Sequence, residues 1–394
     1  MGITGEDVGH SGGCVLCGAR LKKNGTTSAG RTRWRCTSCG SSTTRARPDV
    51  TRRAQLERFI AWLLGSGTQG DADSSARTFR RVHAWCWNVA PEVTITGELY
   101  DEIQIDGIYL DTGWCCLIAI TGGKVIDWQW CDREKTIAWK QLLKRIPAPT
   151  VVVCDGGGGL AVAIEECWPD TSVQRCLVHV QRNVRTYLTS RPRTTAGKAL
   201  WGLARTLTKI TTLDEATAWM VLLHDWHDLY GHLVRERTYR YQLTRPGDGA
   251  AFPDWIRPGQ KWWYTHERLR KAYRLLAKLV ERGHLFAYLD PSVRGLHIAS
   301  TTNQIEGGIN AQLRDMLRRH RGMTTAHQRR AVEWWLHAHA IAAPEPASLI
   351  RARHYRPRPR KTTTPEEPIG PAGYDTGLTA EEGLWLRRGW GGRS

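Results

Sequence analysis

The chain has 394 residues, enough for two or three domains and at least one sizeable core. Its 56 Lys and Arg against 38 Asp and Glu leave a formal charge of +18, which favours polyanionic partners, nucleic acid first and an anionic membrane second. No apolar run approaches the ~18–20 residues of a spanning helix, and residues 1–10 lack a charged start and an apolar signal core, so a soluble, intracellular protein without a membrane partner is expected.

Eleven cysteines in such a setting point to metal ligands and buried thiols, not to a disulfide framework. Cys14-Val-Leu-Cys17 is followed, after an eighteen-residue spacer, by Cys36-Thr-Ser-Cys39. Each C-x2-C lets two thiolates reach one ion from a tight turn, and two such knuckles complete a tetrahedral zinc site. Four thiolates leave zinc no open position, so residues 1–50 are expected to be a zinc ribbon stapled by a structural ion. Arg20, Lys22, Lys23, Arg31, Arg33, Trp34 and Arg35 around it suit either DNA contact or a solvated charged surface.

Residues 51–92 have the pattern of a helix-turn-helix. Leu56, Phe59, Ile60, Leu63 and Leu64 follow helical periodicity until Gly65, Gly67 and Gly70 break it. Ser74 or Ser75 can cap a second helix with Phe79, Val82, Trp85 and Cys86 on one side. Its other side carries Arg77, Thr78, Arg80 and Arg81, groups able to reach phosphates and base edges.

Residues 93–188 read as a mixed α/β core. Residues 102–108 alternate as a strand does, and 114–120 and 125–130 follow as two more strands. Thr121-Gly122-Gly123-Lys124 between these is a tight hairpin turn. A helix over 135–146, a strand at 151–153 ending in Cys154-Asp155-Gly156, a helix to 167, a strand at 172–175 and a helix over 177–188 complete the run. Three antiparallel strands, then helix, strand, helix, strand, helix is the layout of a ribonuclease-H-like fold, in which strands one and four lie side by side. Asp106 and Asp155 would then end adjacent strands, the oxygen donors that hard Mg²⁺ requires. Asp155-Gly is also an ordinary turn at a strand end. The glycines at 156–159 lack the Lys-Ser/Thr of a nucleotide P-loop. Cys176 and His179 form a C-x2-H without a matching pair nearby: a half zinc site, a group beside a metal-bound phosphate, or a core thiol with a helix-surface histidine.

Residues 189–295 carry apolar groups at helical spacing, among them Trp201, Leu207, Trp219, Leu222, Trp226, Leu229, Trp262, Trp263 and Leu276, and predict an all-α insertion. Its tryptophans are expected in the core, with Arg235, Arg237, Arg240, Lys261, Arg268, Arg270 and Lys271 as candidates for phosphate contact. Residues 296–343 then return to the core. There Ile305, Ile309, Leu313 and Leu317 recur every four residues along a helix, with Glu306 at the edge of the stripe and Arg314, Arg318, Arg319 and Arg321 downstream. Taken alone, Asn303-x-x-Glu306 reads first as a capping box, in which Glu306 only satisfies backbone donors. Residues 344–394 are polar and proline-rich, with a basic, extended arm at 351–361.

Three blocks together resemble a known family: the Asp106-Gly107 block, VVVCDGGGGLAVAIEECWPDTSVQRCLVHVQRN at 151–183, and TTNQIEGGINAQLRDMLRRHRGM at 301–323. They look most like the DDE transposases of bacterial insertion sequences of the Mutator-like superfamily, in the branch with an N-terminal zinc ribbon and helix-turn-helix. The resemblance covers nearly all of residues 10–340. It implies a multidomain α/β protein with a ribonuclease-H-like catalytic core and a helical insertion. It also implies Asp106, Asp155 and Glu306 as the catalytic triad, and Cys176 and His179 as the family's C-x2-H signature. On that reading the acids hold two Mg²⁺ ions (Mn²⁺ can substitute), and the N-terminal modules find the terminal inverted repeats of double-stranded DNA. Arg77, Thr78, Arg80, Arg81, Arg314, Arg318 and Arg321 would contact DNA, a homodimer or larger assembly would join two ends, and no small-molecule substrate is needed. The cellular place implied is the bacterial cytoplasm, at the nucleoid. Two other functions use the same fold: a domesticated, non-catalytic DNA-binding regulator and a structure-selective nuclease.

Overall fold

The computed structural model describes residues 14–355, apart from 15–16, 18, 29, 45–47, 68, 70–74, 111–112 and 244–255. The described residues divide into two units: one gathers those up to Thr94 with those from Gln312 onward, and the other is Ile95–Ala311.

The first unit begins with a three-stranded antiparallel ribbon, β1 (Leu21–Thr26), β2 (Thr32–Cys36) and β3 (Ser42–Thr43). Among the described residues, Cys14, Leu21, Trp34 and Cys36 alone form its buried cluster, too little apolar surface to hold three strands by burial alone. Helix α1 (Pro48–Leu64) follows, with Leu56, Phe59 and Leu63 inward. Helix α2 (Ala76–His83) is capped by Ser75, whose Oγ accepts from the Thr78 amide at 3.3 Å. The side expected to be apolar is partly polar. Phe79 and Cys86 are buried, Val82 and Trp85 only half so, and His83 turns in beneath Phe79, ring centroids 4.0 Å apart, with Nδ1 2.8 Å from the Phe79 carbonyl.

The second unit is built on a five-stranded sheet: β4 (Glu102–Tyr109), β5 (Cys115–Thr121), β6 (Lys124–Cys131), β7 (Val151–Cys154) and β8 (Ser172–Arg175). The spatial order is β6-β5-β4-β7-β8. The β4–β5 and β5–β6 pairs are antiparallel, whereas β7 joins β4, and β8 joins β7, in parallel. Gly122 (φ 52°) and Gly123 (φ 75°) make the β5–β6 turn, both in the left-handed region that glycine adopts without strain. Helices α3 (Thr136–Leu143) and α4 (Gly158–Cys167) cover one face, where Ile103, Ile105 and Leu117 meet Trp139, Leu142 and Ile164. Helix α5 (Leu177–Leu188) leaves β8 after one residue, because the Cys176 amide is already bonded to the Cys154 carbonyl at 2.8 Å.

Beyond α5 a second core forms from α6 (Thr195–Thr206), α7 (Leu213–Arg235) and, after an interruption, α9 (Glu267–Glu281), with Trp219 and Trp226 buried in it as expected. Leu222 and Leu229 instead lie on the outer face of α7. The insertion is not all-α. A hairpin of β9 (Arg237–Tyr239) and β10 (Trp262–Tyr264), with the single helical turn α8 (Arg240–Leu243) beside it, interrupts the helices. Trp262 and Trp263 therefore sit on a strand, where consecutive aromatic side chains pack well on a pleated surface.

A π-helical turn (Gln304–Asn310) runs directly into α10 (Ala311–Arg319), followed by α11 (Thr325–Ala338) and α12 (Ala352–Tyr355). The segment expected to complete the core at 296–343 is thus shared between the two units. The basic arm at 351–361 lies mostly outside the described residues. No helix among the described residues is long and apolar enough to cross a membrane.

Candidate active site

Asp106 lies on β4, the central strand, opposite Ile118 of β5. Asp155 follows the last residue of β7, the parallel neighbour of β4, and Glu306 is the third residue of the π-helical turn. Two carboxylates therefore project from adjacent strands, and a third arrives from 150 residues later.

Their electrostatics register the crowding. Burial, then the negative charges of Asp155, Glu306 and Glu134, push the Asp106 carboxyl up to about 7. Asn310 restrains it, donating Nδ2 to Asp106 Oδ2 at 2.9 Å, while Asn310 Oδ1 is buried without a donor. The Asp155 Oδ1 accepts from the Gly157 amide at 3.0 Å, so the start of the glycine run orients this acid.

Glu306 has a different setting. Thr302 donates Oγ1 to its Oε1 at 2.6 Å and Arg182 donates Nη1 to its Oε2 at 3.0 Å. His179 Nδ1 stands 3.2 Å from Oε1, an ion-pair separation without hydrogen-bond alignment. Burial raises the Glu306 carboxyl, but the Thr302 bond and the His179 and Arg182 charges outweigh it and hold the group below its usual value. The capping-box alternative fails: Asn303 makes no side-chain cap, and the acid faces His179 and Arg182 instead of the backbone.

The C-x2-H pair joins this acid. Ligand atoms of Cys176, His179 and Glu306 all lie within 4.8 Å of one another, whereas those of Asp106, Asp155 and Glu306 do not form such a group. The Thr302 amide reaches Cys176 Sγ at 3.4 Å, so one threonine touches both the thiol and the acid. A hydrogen bond with Cys176 and the negative charges of Cys176, Glu306 and Asp155 raise the His179 imidazole against its burial.

A fourth acid escaped the sequence reading. Glu134, in the loop between β6 and α3, has its carboxyl raised to about 7 by burial and by the charge of Asp155. It packs on Gly107, where a Cβ would lie 2.6 Å from Glu134 Oε1 and 3.1 Å from Cys115 Sγ. A glycine inside a strand is the sign of such close approach, and it stands beside Asp106.

Half-buried carboxylates, of which Asp106 and Glu134 are raised by burial and by their acidic neighbours, are an oxygen donor set that fits a hard divalent cation. In the other unit, Cys14, Cys17, Cys36 and Cys39 bring their sulfurs within 4.8 Å of one another and could bind zinc. Arg77, Arg80 and Arg81 on α2 and Arg314, Arg318 and Arg321 are exposed, Thr78 is half-buried, and all fall in that first unit, not in the unit of the acids.

Residues 114–237 match the family described as Transposase, Mutator family. The match supports a Mutator-like transposase. It spans β5 to the start of β9, including Asp155, Cys176 and His179, and leaves Asp106 and Glu306 outside. No curated protein matches the chain. A transposase implies DNA as partner, in keeping with the charge of +18.

Proposed function

We propose that this chain is a DDE transposase that binds the terminal inverted repeats of its insertion sequence, cuts the DNA at the element's ends and joins the freed 3′ ends to target DNA. The observation that carries the reading is that Asp106 on β4 and Asp155 at the end of its parallel neighbour β7 lie near enough to Glu306 of the π-helical turn for both negative charges to raise the Asp106 carboxyl. The strand order β6-β5-β4-β7-β8, with three antiparallel strands and two parallel ones, supports a ribonuclease-H-like core.

Asp106, Asp155 and Glu306 would hold two Mg²⁺ ions. When bound, these supply activation of a water and stabilisation of the leaving 3′ oxygen. Asn310 fixes the rotamer of Asp106, and the Gly157 amide fixes that of Asp155. Thr302, with Cys176 behind it, holds one oxygen of Glu306, and Arg182, half-exposed on α5, holds the other and can reach a scissile phosphate. His179, with its imidazole raised, keeps its positive charge beside Glu306 as pH rises past 6.5 and so favours the ionised acid. No serine or tyrosine nucleophile is assigned, since water and a 3′-hydroxyl serve as attacking groups.

The zinc ribbon and the α1–α2 pair would recognise the ends, with Arg77, Thr78, Arg80 and Arg81 toward DNA and Arg314, Arg318 and Arg321 adding phosphate contacts whose strength falls with salt. Joining two ends calls for a homodimer or larger assembly.

The test is incubation with linear DNA carrying candidate ends, in Mg²⁺ or in EDTA. Nicking and strand transfer are expected in Mg²⁺ alone, and Asp155→Ala and Glu306→Ala should each abolish both. Activity that survives either substitution would sink the proposal. Mg²⁺-dependent cleavage with no strand transfer would assign the same acids to a nuclease.

A further inference from the structure

Between α4 and α9, within the second unit, lies a cavity of about 660 Å³. Its walls are partly apolar, from Ile164, Leu275 and Leu279, but its charges are nearly all of one sign. Arg175, Lys278, Arg282 and His284 line it, against the single acid Glu165. Among the described residues no carboxylate forms an ion pair with any of the four.

Arg175 is the most unusual of them. It ends β8, and its guanidinium lies directly over Gly156, where any Cβ would overlap it. Its Nε is buried and has no hydrogen-bond acceptor among the described residues. The residue as a whole is half-buried, and a buried N–H without an acceptor carries a desolvation cost that an oxygen ligand in the cavity would relieve. His284 reports the same field: burial first, then the charges of Arg282 and Arg175, lower its imidazole.

We propose that this cavity is a phosphate-binding pocket, in which Arg175, Lys278 and Arg282 take one phosphate or phosphodiester group beside Gly156. The guanidinium offers paired N–H donors suited to phosphate oxygens, and Lys278 on α9 and Arg282 just after it close the site with their charges. Glycine at 156 is what lets Arg175 seat there, and the same residue follows Asp155, so an anion in the pocket rests against the segment that carries that acid. The glycine run lacks the lysine of a P-loop, and the cations come instead from β8 and α9. Two sources share this chemistry: a backbone phosphate of DNA, which rests on the DNA-acting reading above, and a free phosphate compound, which does not.

Calorimetric titration of the full chain with inorganic pyrophosphate, in EDTA and at fixed ionic strength, tests the pocket without any metal-dependent step. One pyrophosphate per chain is expected. The double reversal Lys278→Glu/Arg282→Glu, at exposed positions, should weaken it at least about tenfold, since each lost charged hydrogen bond is worth roughly that factor. Arg205→Glu/Lys209→Glu, exposed and away from the cavity, makes the same change in net charge and should leave affinity unaltered. Absence of binding by the native chain, or equal weakening by both pairs, overturns the proposal. Given a pocket that passes, a short duplex that displaces pyrophosphate identifies a DNA phosphate as the occupant, and one that binds without displacing it identifies a free phosphate compound. A failed cleavage assay would leave the pyrophosphate result standing, so the two readings fail separately.

Discussion

Glu134 and Gly107 form a tight side-chain-to-backbone fit beside Asp106. Because a Cβ at 107 would lie 2.6 Å from Glu134 Oε1, Gly107→Ala must displace the acid or the strand, and it should cost about 1–3 kcal/mol. In a Glu134→Ala background the same change should cost at least about 0.5 kcal/mol less, by urea denaturation of the four members of the cycle. Simple additivity would mean that the contact does not hold the glycine in place. Asp106 and Asp155 were legible because each stands at a recognisable place on a strand, and Glu306 because of the residues around it. Glu134 was not, since Asp132-Arg133-Glu134-Lys135 reads as a polar loop and becomes a buried acid only once β4 and β5 lie beneath it.

At the level of elements, strands and helices of the sheet follow their sequence signals within a few residues. Apolar runs bounded by glycine and proline leave little choice of structure there. The β9–β10 hairpin was hidden by its size: three residues per strand carry no measurable alternation, and Trp262 and Trp263 fit a helical spacing by chance. The π-helical turn was equally invisible, because Ile305 and Ile309 are four apart in either kind of helix, yet Met316, not Leu317, becomes the next fully buried residue after Leu313. For the ribbon the prediction is sharp. With only Cys14, Leu21, Trp34 and Cys36 inside, β1–β3 should lose their structure when a chelator removes zinc or when Cys36 is replaced by Ser. Amide and Trp34 indole resonances would collapse to random-coil positions while those of β4–β8 stay; a ribbon that persists in chelator would refute a metal staple.

For the molecule as a whole, acid acts in opposite senses on the two units. His83, His320, His327 and His337 of the first unit are all held below the ordinary 6.5 by burial, with Arg58 and Arg319 adding repulsion at His83 and His320. Groups lowered in the fold leave its stability whole above pH 6.5 and erode it as pH falls below that value. In the second unit, Asp106 and Glu134 are raised from 3.8 and 4.5 to about 7, so their contribution is full below about pH 4 and lost as pH rises toward 7. Between pH 7.5 and 5.5 in EDTA, amide protection, corrected for intrinsic exchange, should therefore fall in α1 and α11 and rise in β4 and β7. Parallel movement in both units would contradict these assignments.

The turn at Gln304–Asn310 closes on hydrogen bonds one residue longer than those of an ordinary helix, and so holds a residue in surplus. Loss of a single codon there, at Gly308 for instance, would let the segment wind as a plain α-helix and rotate Asn310 by about 100° relative to Glu306. The amide that steadies Asp106 would be carried off while every acid stayed in the reading frame. On the function proposed above, an intact set of acids is thus not enough by itself to keep the site in order. The length of this turn counts as well.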